Sequence, residues 1–155
     1  MSAEFQVRSK LDASPDQVWG RIVTPAGIND ELWPIVRMTI PRGVSRLDPA
    51  EVPLGRPIGR SWILLFGLIP FDYDDITLVR LEPGRGFLER STMLSQRVWE
   101  HERTLESAPT GCLLTDRVRF EPRRPLPSAL LKPIFNAVFR HRHQRLRRHF
   151  GGEPR

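Results

Sequence analysis

Two stretches of the sequence decide the fold: Trp99-Glu100-His101-Glu102-Arg103 and Leu114-Thr115-Asp116-Arg117-Val118-Arg119-Phe120. In both, residues of alternating character follow the two-residue period of a β-strand, and the turn-forming residues 107–111 lie between them. Paired as an antiparallel hairpin, they place glutamates beside arginines on the outer face, which is favourable cross-strand chemistry. The inner face is mostly apolar but carries His101, Arg103 and Asp116. These groups are costly to bury unless they pair with one another or with a ligand, so the pattern indicates a sheet that lines a cavity.

The composition indicates one domain over residues 1–155. With 39% hydrophobic residues, the chain can bury a core without disulfides or metal. Its single cysteine, Cys112, and its four scattered histidines show no disulfide or zinc spacing, so we expect no metal and no cofactor. The sequence has no basic, apolar leader and no run of about twenty apolar residues, which predicts a soluble cytoplasmic protein.

Positive charge is concentrated at the C-terminal end. From Arg123 onward there are nine basic residues and one acidic residue, a net charge of +8, whereas the preceding part has 15 basic and 17 acidic residues, a net charge of −2. Such a segment could contact RNA or an anionic membrane. A solvated helix face is the interpretation that we favour, because the segment lacks the exposed aromatic residues of a single-strand binder. We therefore expect no stable nucleic-acid partner.

Local signals place the remaining elements. Residues 4–12 alternate as a strand, and Ser14-Pro15-Asp16-Gln17 is typical of a capped helix start. A second short helix is predicted over residues 28–32 and a strand over residues 35–40. Residues 41–59 are rich in Pro and Gly and predict a long connection.

The rest of the chain predicts a meander followed by one long helix. Strands are expected over residues 60–66, 73–82 and 86–94, with turns about every ten residues. The final helix spans residues 125–150, with Pro133 at its start or at a kink. Its buried stripe is expected to contain Ile134, Phe135, Val138, Phe139, Arg142, Leu146 and Phe150.

This order of elements, together with several residues, resembles the SRPBCC superfamily, which includes START lipid-transfer domains, polyketide cyclase-like proteins and the birch-pollen-allergen group. The resembling positions are Glu89, Trp99 with His101, Thr115 with Asp116, and Arg142 with His143. Arg103 stands where the family pattern has a second histidine. The resemblance implies an α+β helix-grip fold, in which a curved antiparallel sheet wraps around a long C-terminal helix and two short helices follow the first strand.

The resemblance also implies a cavity between the sheet and the final helix that binds a small hydrophobic molecule, of lipid, polyketide or aromatic type. Arg142 is in phase with the helix stripe, so it would hold an acidic end of that molecule. The candidate ligand-binding residues are Trp62, Glu89, Trp99, His101, Arg103, Asp116, Val118, Phe120, Phe135, Phe139 and Arg142.

Other interpretations stay open at this point. Arg103 and Asp116 could form a buried structural pair with His101 beside them, and Arg142 could extend along the stripe to water. Polyketide cyclase-like relatives suggest an enzyme in which His101 with Asp116 or Glu89 would move protons; no nucleophile motif is present. The apolar turn at residues 66–71 is expected to pack against the N-terminal helices, with peripheral membrane contact as the alternative.

Overall fold

The computed structural model describes residues 2–155, which form eight strands and three helices. The strands are β1 (Ala3–Leu11), β2 (Val36–Met38), β3 (Pro57–Leu65), β4 (Ile69–Glu82), β5 (Gly86–Met93), β6 (Gln96–Ala108), β7 (Gly111–Pro122) and β8 (Gly152–Pro154). The helices are α1 (Pro15–Ile22), α2 (Pro25–Leu32) and α3 (Ser128–Phe150). The predicted α+β architecture is confirmed, with two short helices after β1 and one long helix after β7.

All strands belong to one curved antiparallel sheet with the order β2-β3-β4-β5-β6-β7-β1-β8. The β6–β7 hairpin has the predicted register, since Trp99 lies opposite Phe120 and Arg103 lies opposite Asp116. The sequence did not predict β8, which pairs with the end of β1 directly after α3. Gly151 and Gly152 adopt positive φ angles of 78° and 136° and turn the chain from the helix into this strand.

The helix starts follow local capping. Ser14 and Gln17 form a reciprocal capping box at the start of α1, as predicted. The helix predicted over residues 28–32 is longer in the structure, where α2 begins at Pro25. Thr24 caps the helix by accepting a hydrogen bond from the backbone N–H of Gly27, and Pro25 occupies the first turn. Pro25 is therefore the first residue of α2.

The core consists of two apolar clusters under the sheet. One lies between α1 and the sheet and includes Leu11, Trp19 and Leu114. The other lies between α3 and strands β1, β6 and β7 and includes Phe5, Trp99 and Phe139.

Helix α3 packs mainly along β1 and against α2. Its predicted buried stripe is correct for Phe139, Arg142 and Leu146 but wrong for Ile134, which is exposed near the N-terminal end. Pro133 lies inside the helix rather than at its start.

Candidate functional site

The β6–β7 hairpin brings three titratable side chains to the concave face of the sheet. Arg103 lies directly opposite Asp116, and His101 is two residues before Arg103 on the same strand face. All three are buried. The strand alternation in the sequence therefore predicted correctly which side chains point inward.

Asp116 is at the centre of a buried hydrogen-bond network. Its Oδ1 accepts hydrogen bonds from His101 Nε2 and Arg103 Nε, both at 2.7 Å. Its Oδ2 accepts from Arg103 Nη2 at 2.7 Å and from His143 Nε2 at 2.8 Å. Burial opposes ionisation of this carboxyl, but Arg103 and His101 outweigh burial and hold the pKa of Asp116 well below its ordinary value. Asp116 is thus a carboxylate held by three side chains.

Glu31 enters the same network from α2. Its two carboxylate oxygens accept hydrogen bonds from Arg103 Nη1 at 3.0 Å and Nη2 at 2.8 Å. Arg142 Nε, on α3, donates to Glu31 Oε1 at 3.1 Å. Burial opposes ionisation of Glu31, but the charges of Arg103 and Arg142 lower its pKa. Arg103 is therefore bonded to two carboxylates at once, each in a bidentate arrangement.

A branch of the network reaches β1 through His143. Ser9 Oγ lies 2.8 Å from His143 Nδ1, and Arg147 donates to Ser9 Oγ at 2.8 Å. His143 thus bonds to Asp116 through Nε2 and to Ser9 through Nδ1. The branch connects α3 to both β1 and β7.

The network pairs its arginines with carboxylates. Two arginines, Arg103 and Arg142, face two carboxylates, Glu31 and Asp116. The five elements that it joins, β1, β6, β7, α2 and α3, are distant in sequence. This geometry agrees with the structural interpretation of the Arg103–Asp116 pair and gives Arg103 a second partner that the sequence did not suggest.

A cavity of about 90 Å³ lies beside the network. Its walls come from the concave face of β3 to β6, from α1 and α2, and from the connection over residues 39–56, with Arg142 on the α3 side. Most lining residues are apolar, among them Ile22, Ile28, Leu47, Ile58, Ile76, Leu78 and Phe87. Typical small-molecule pockets measure roughly 300–1,000 Å³. A whole lipid or polyketide would therefore enter only if the walls moved apart.

Two carboxyl groups meet in the cavity wall. Asp74 on β4 and Glu89 on β5 are both buried and both line the cavity. Ser91 Oγ accepts a hydrogen bond from the backbone N–H of Thr77 at 2.9 Å and donates to Glu89 Oε2 at 2.7 Å. Asp74 Oδ1 is buried without a hydrogen-bond partner among residues 2–155. Burial and the charge of Glu89 raise the pKa of Asp74 well above its ordinary value, so Asp74 keeps its proton at pH values where an isolated carboxyl is ionised.

The raised pKa of Asp74 predicts a pH dependence of stability. A carboxyl with a higher pKa in the folded chain favours folding below its unfolded pKa, about 3.9, and this contribution is lost as the pH rises through the folded value. We expect Asp74→Asn to become increasingly stabilising relative to wild type as the pH rises from 4, measured by urea unfolding at each pH.

The matched control is Asp75→Asn. Asp75 is on the same strand but on the opposite face, where it pairs with Arg60. Its variant should follow the wild-type pH profile. Parallel profiles for wild type and Asp74→Asn would show that Asp74 ionises normally.

Four of the predicted site residues line the cavity: Glu89, His101, Arg103 and Arg142. Asp116 lies behind Arg103, within the network. The prediction that Arg142 points inward agrees with its position, but its carboxylate partner is Glu31 and not Glu89.

The predicted apolar site residues lie elsewhere. Trp99, Val118, Phe120, Phe135 and Phe139 pack against one another in a core cluster, with ring centroids 4.8 Å apart for Phe120 and Phe135. They do not line the cavity, because α3 covers this end of the sheet directly. Trp62 is 42% exposed and packs edge-on against Tyr73. It lies on the outer face of β3, whereas its neighbour Ser61 points inward and is buried. The cavity is displaced from its predicted position towards β3, β4 and β5.

Sequence reasoning missed Glu31, Asp74 and Ser9. A signal for Asp74 was present, since strand alternation places it on the same face as Ile76 and Leu78. Glu31 shows no comparable signal, because a glutamate in a short helix is usually exposed. Within residues 2–155, no group of three His, Cys, Asp or Glu side chains is arranged to hold a metal ion.

The basic residues of α3 are partly occupied by the protein itself. Arg142 binds Glu31, Arg147 binds Ser9, and Arg145 donates to the carboxylate and the backbone carbonyl of Asp30 at 2.8 and 2.9 Å. These contacts reduce the charge available to an external partner.

The apolar turn between β3 and β4 is exposed. Phe66 is 61% and Leu68 is 81% exposed, so the expectation that they pack against the N-terminal helices is wrong. The turn contacts the segment after α2 through its backbone, since Phe66 N–H donates to the carbonyl of Ile35 at 2.9 Å and Gly67 lies next to Trp33. Peripheral membrane contact through this turn stays a prediction. In the described part of the chain, none of the helices has the length and apolar character needed to cross a membrane.

Solved structures share this fold over nearly the whole chain. Protein CV1439 from Chromobacterium violaceum has 13% identity and a TM-score of 0.72, with 96% of this chain and 98% of that chain covered. A START superfamily protein from Mycobacterium smegmatis has 10% identity and a TM-score of 0.67, with 96% of both chains covered. Ara h 8.0201 has 12% identity and a TM-score of 0.61, with 94% of this chain and 98% of that chain covered. The chain therefore shares the helix-grip fold of these proteins.

The family within that fold is defined by sequence. Residues 9–150 match the family described as domain of unknown function DUF8410, and the chain belongs to this family. None of the curated proteins matches the chain. The comparisons thus show the fold and the family, and an activity has to be inferred from the site.

Proposed function

We propose that this protein binds a small, mainly apolar molecule, with a polar end against the Asp74–Glu89 carboxyl pair. The observation that carries the proposal is the cavity itself, where apolar walls enclose buried carboxyls and Asp74 Oδ1 has no partner in the described residues. A buried polar atom without a partner is unfavourable, and a ligand could satisfy it.

The volume of the cavity limits the part of the molecule that it encloses. About 90 Å³ accommodates a small branched or cyclic group, and a longer lipid or polyketide would extend outward past the connection over residues 39–56. The charge network lies beside the cavity and its side chains are already paired with one another. A ligand in the cavity therefore leaves these pairs in place.

A cavity-filling variant tests the proposal. Ile76 lies on the cavity face of β4, between Asp74 and Leu78, so Ile76→Phe should occupy the space. We expect native mass spectrometry of gently purified wild type to show a bound small molecule, and we expect Ile76→Phe to lose it.

Val79→Phe is the matched control, because Val79 is on the same strand but is exposed. This variant should keep the molecule. Two results would contradict the proposal: equal retention by folded Ile76→Phe, or a folded wild type that carries nothing and is not stabilised by any compound of a small-molecule library.

Acid–base catalysis, as in cyclisation or dehydration, is the second candidate. The observation that favours it is the buried Asp74 carboxyl in the cavity wall, whose pKa is raised by burial and by the charge of Glu89. His101 and Asp116 are less available, because they bond to each other. If the protein is an enzyme, the molecule recovered after incubation should be chemically changed by wild type and unchanged by Glu89→Gln. Recovery of the unchanged molecule from wild type would leave binding alone.

A further inference from the structure

The ligand class can be inferred from the charges that face the cavity. We infer that the molecule bound there carries a cationic nitrogen, such as a primary amine, that donates to Asp74 and Glu89. This inference rests on the proposed function, and it differs from the sequence-based expectation of an acidic end held by Arg142.

Two of the three arginines that line the cavity, Arg103 and Arg142, already have carboxylate partners, and the third, Arg46, is exposed on the connection over residues 39–56. Arg103 makes four hydrogen bonds to Glu31 and Asp116, and all of these atoms are buried. Arg142 bonds to Glu31 and its guanidinium lies 4.9 Å from the centre of the Phe139 ring. An incoming carboxylate would therefore compete with Glu31 for Arg142.

The Asp74–Glu89 carboxyl pair, unlike Arg103 and Arg142, lacks a partner of opposite charge among residues 2–155. Among residues 2–155, neither Asp74 nor Glu89 forms a salt bridge, although both are buried. The side-chain hydrogen bond that Glu89 accepts comes from a neutral donor, Ser91 Oγ. The wall of β4 and β5 therefore presents two buried carboxyl groups that lack a cationic partner among the described residues.

Geometry directs this charge into the cavity. Asp74 and Glu89 both line it, together with the apolar Ile76, Leu78 and Phe87, and Asp74 Oδ1 has no partner in the described residues. A buried carboxylate is strongly stabilised by a cation within hydrogen-bond distance. A small alkylamine provides that cation and an apolar body for the remaining walls.

Three probes of similar size test the inference: isobutylamine, isobutanol and isobutyrate. Binding is followed by NMR titration of the wild-type protein at pH 7. We expect isobutylamine to bind at least about tenfold more tightly than isobutanol, the contribution of one charge-assisted hydrogen bond. Isobutyrate should bind most weakly.

Variants of Asp74 and Glu89 show whether this carboxyl pair causes the preference for the amine. Asp74→Asn combined with Glu89→Gln should abolish the preference for the amine and keep isobutanol binding. The control Asp75→Asn, on the outer face of β4, should keep the preference.

The outcomes separate the two proposals. Binding of isobutanol without a preference for the amine would overturn the inference and leave the cavity as a binding site. Tighter binding of isobutyrate that is lost in Arg142→Lys would replace the amine with an acid held by Arg142. If none of the probes binds, or if all bind equally to Ile76→Phe, both the inference and the binding function are overturned.

Discussion

Asp116→Ala is expected to lower the free energy of unfolding by about 3–5 kcal/mol, the cost of removing one partner from a buried ion pair. In this protein the carboxylate accepts hydrogen bonds from Arg103, His101 and His143. Without it, three buried donors lose a partner and Arg103 keeps only Glu31. Urea unfolding at pH 7 measures the effect.

Glu106→Ala is a suitable control, because Glu106 is an exposed acidic residue on β6 of the same hairpin. Its effect should stay within about 0.5 kcal/mol, as is usual for surface sites. If Asp116→Ala also fell within that range, the carboxylate would have to be accessible to water, and the network would not hold the sheet to α3.

Much of the fold could be predicted because its signals are local. The alternation in residues 99–120 determined the hairpin register, since a shift by one residue would turn Arg103 and Asp116 outward. Ser14 and Gln17, which form the capping box, are the local signal that determined the start of α1. The strand β8 was missed because it has only three residues, none of them buried, and depends on its pairing with β1.

The site was predictable only where one element determined it. The hairpin placed Arg103 beside Asp116, and the helix period placed Arg142 inside. The contribution of Glu31 depends on how α2 packs against β6 and α3, and a single sequence does not report that packing. The cavity position depends in turn on how far α3 covers the sheet, so Trp99 and Phe139 were assigned to the cavity although they pack in the core.

Glu31→Ala is expected to be about as destabilising as Asp116→Ala, by about 3–5 kcal/mol. Arg103 would lose two of its hydrogen bonds and Arg142 would lose its carboxylate. Because both variants act on Arg103, the double variant should cost less than the two single effects together. Urea unfolding of the two single variants and the double variant measures this coupling.

The pH dependence gives an independent test of Glu31. Burial opposes its ionisation, but Arg103 and Arg142 lower its pKa, so its contribution is present above the unfolded pKa of about 4.3 and is lost as the pH falls through the folded value. Glu31→Ala should therefore flatten the decline of stability in acid. The neighbouring Asp30→Ala, which breaks partly exposed pairs with Arg21 and Arg145, should cost at most about 1 kcal/mol. A small loss in Glu31→Ala with an unchanged acid decline would mean that Asp116 alone satisfies Arg103, and α2 would then be held to the sheet by apolar packing.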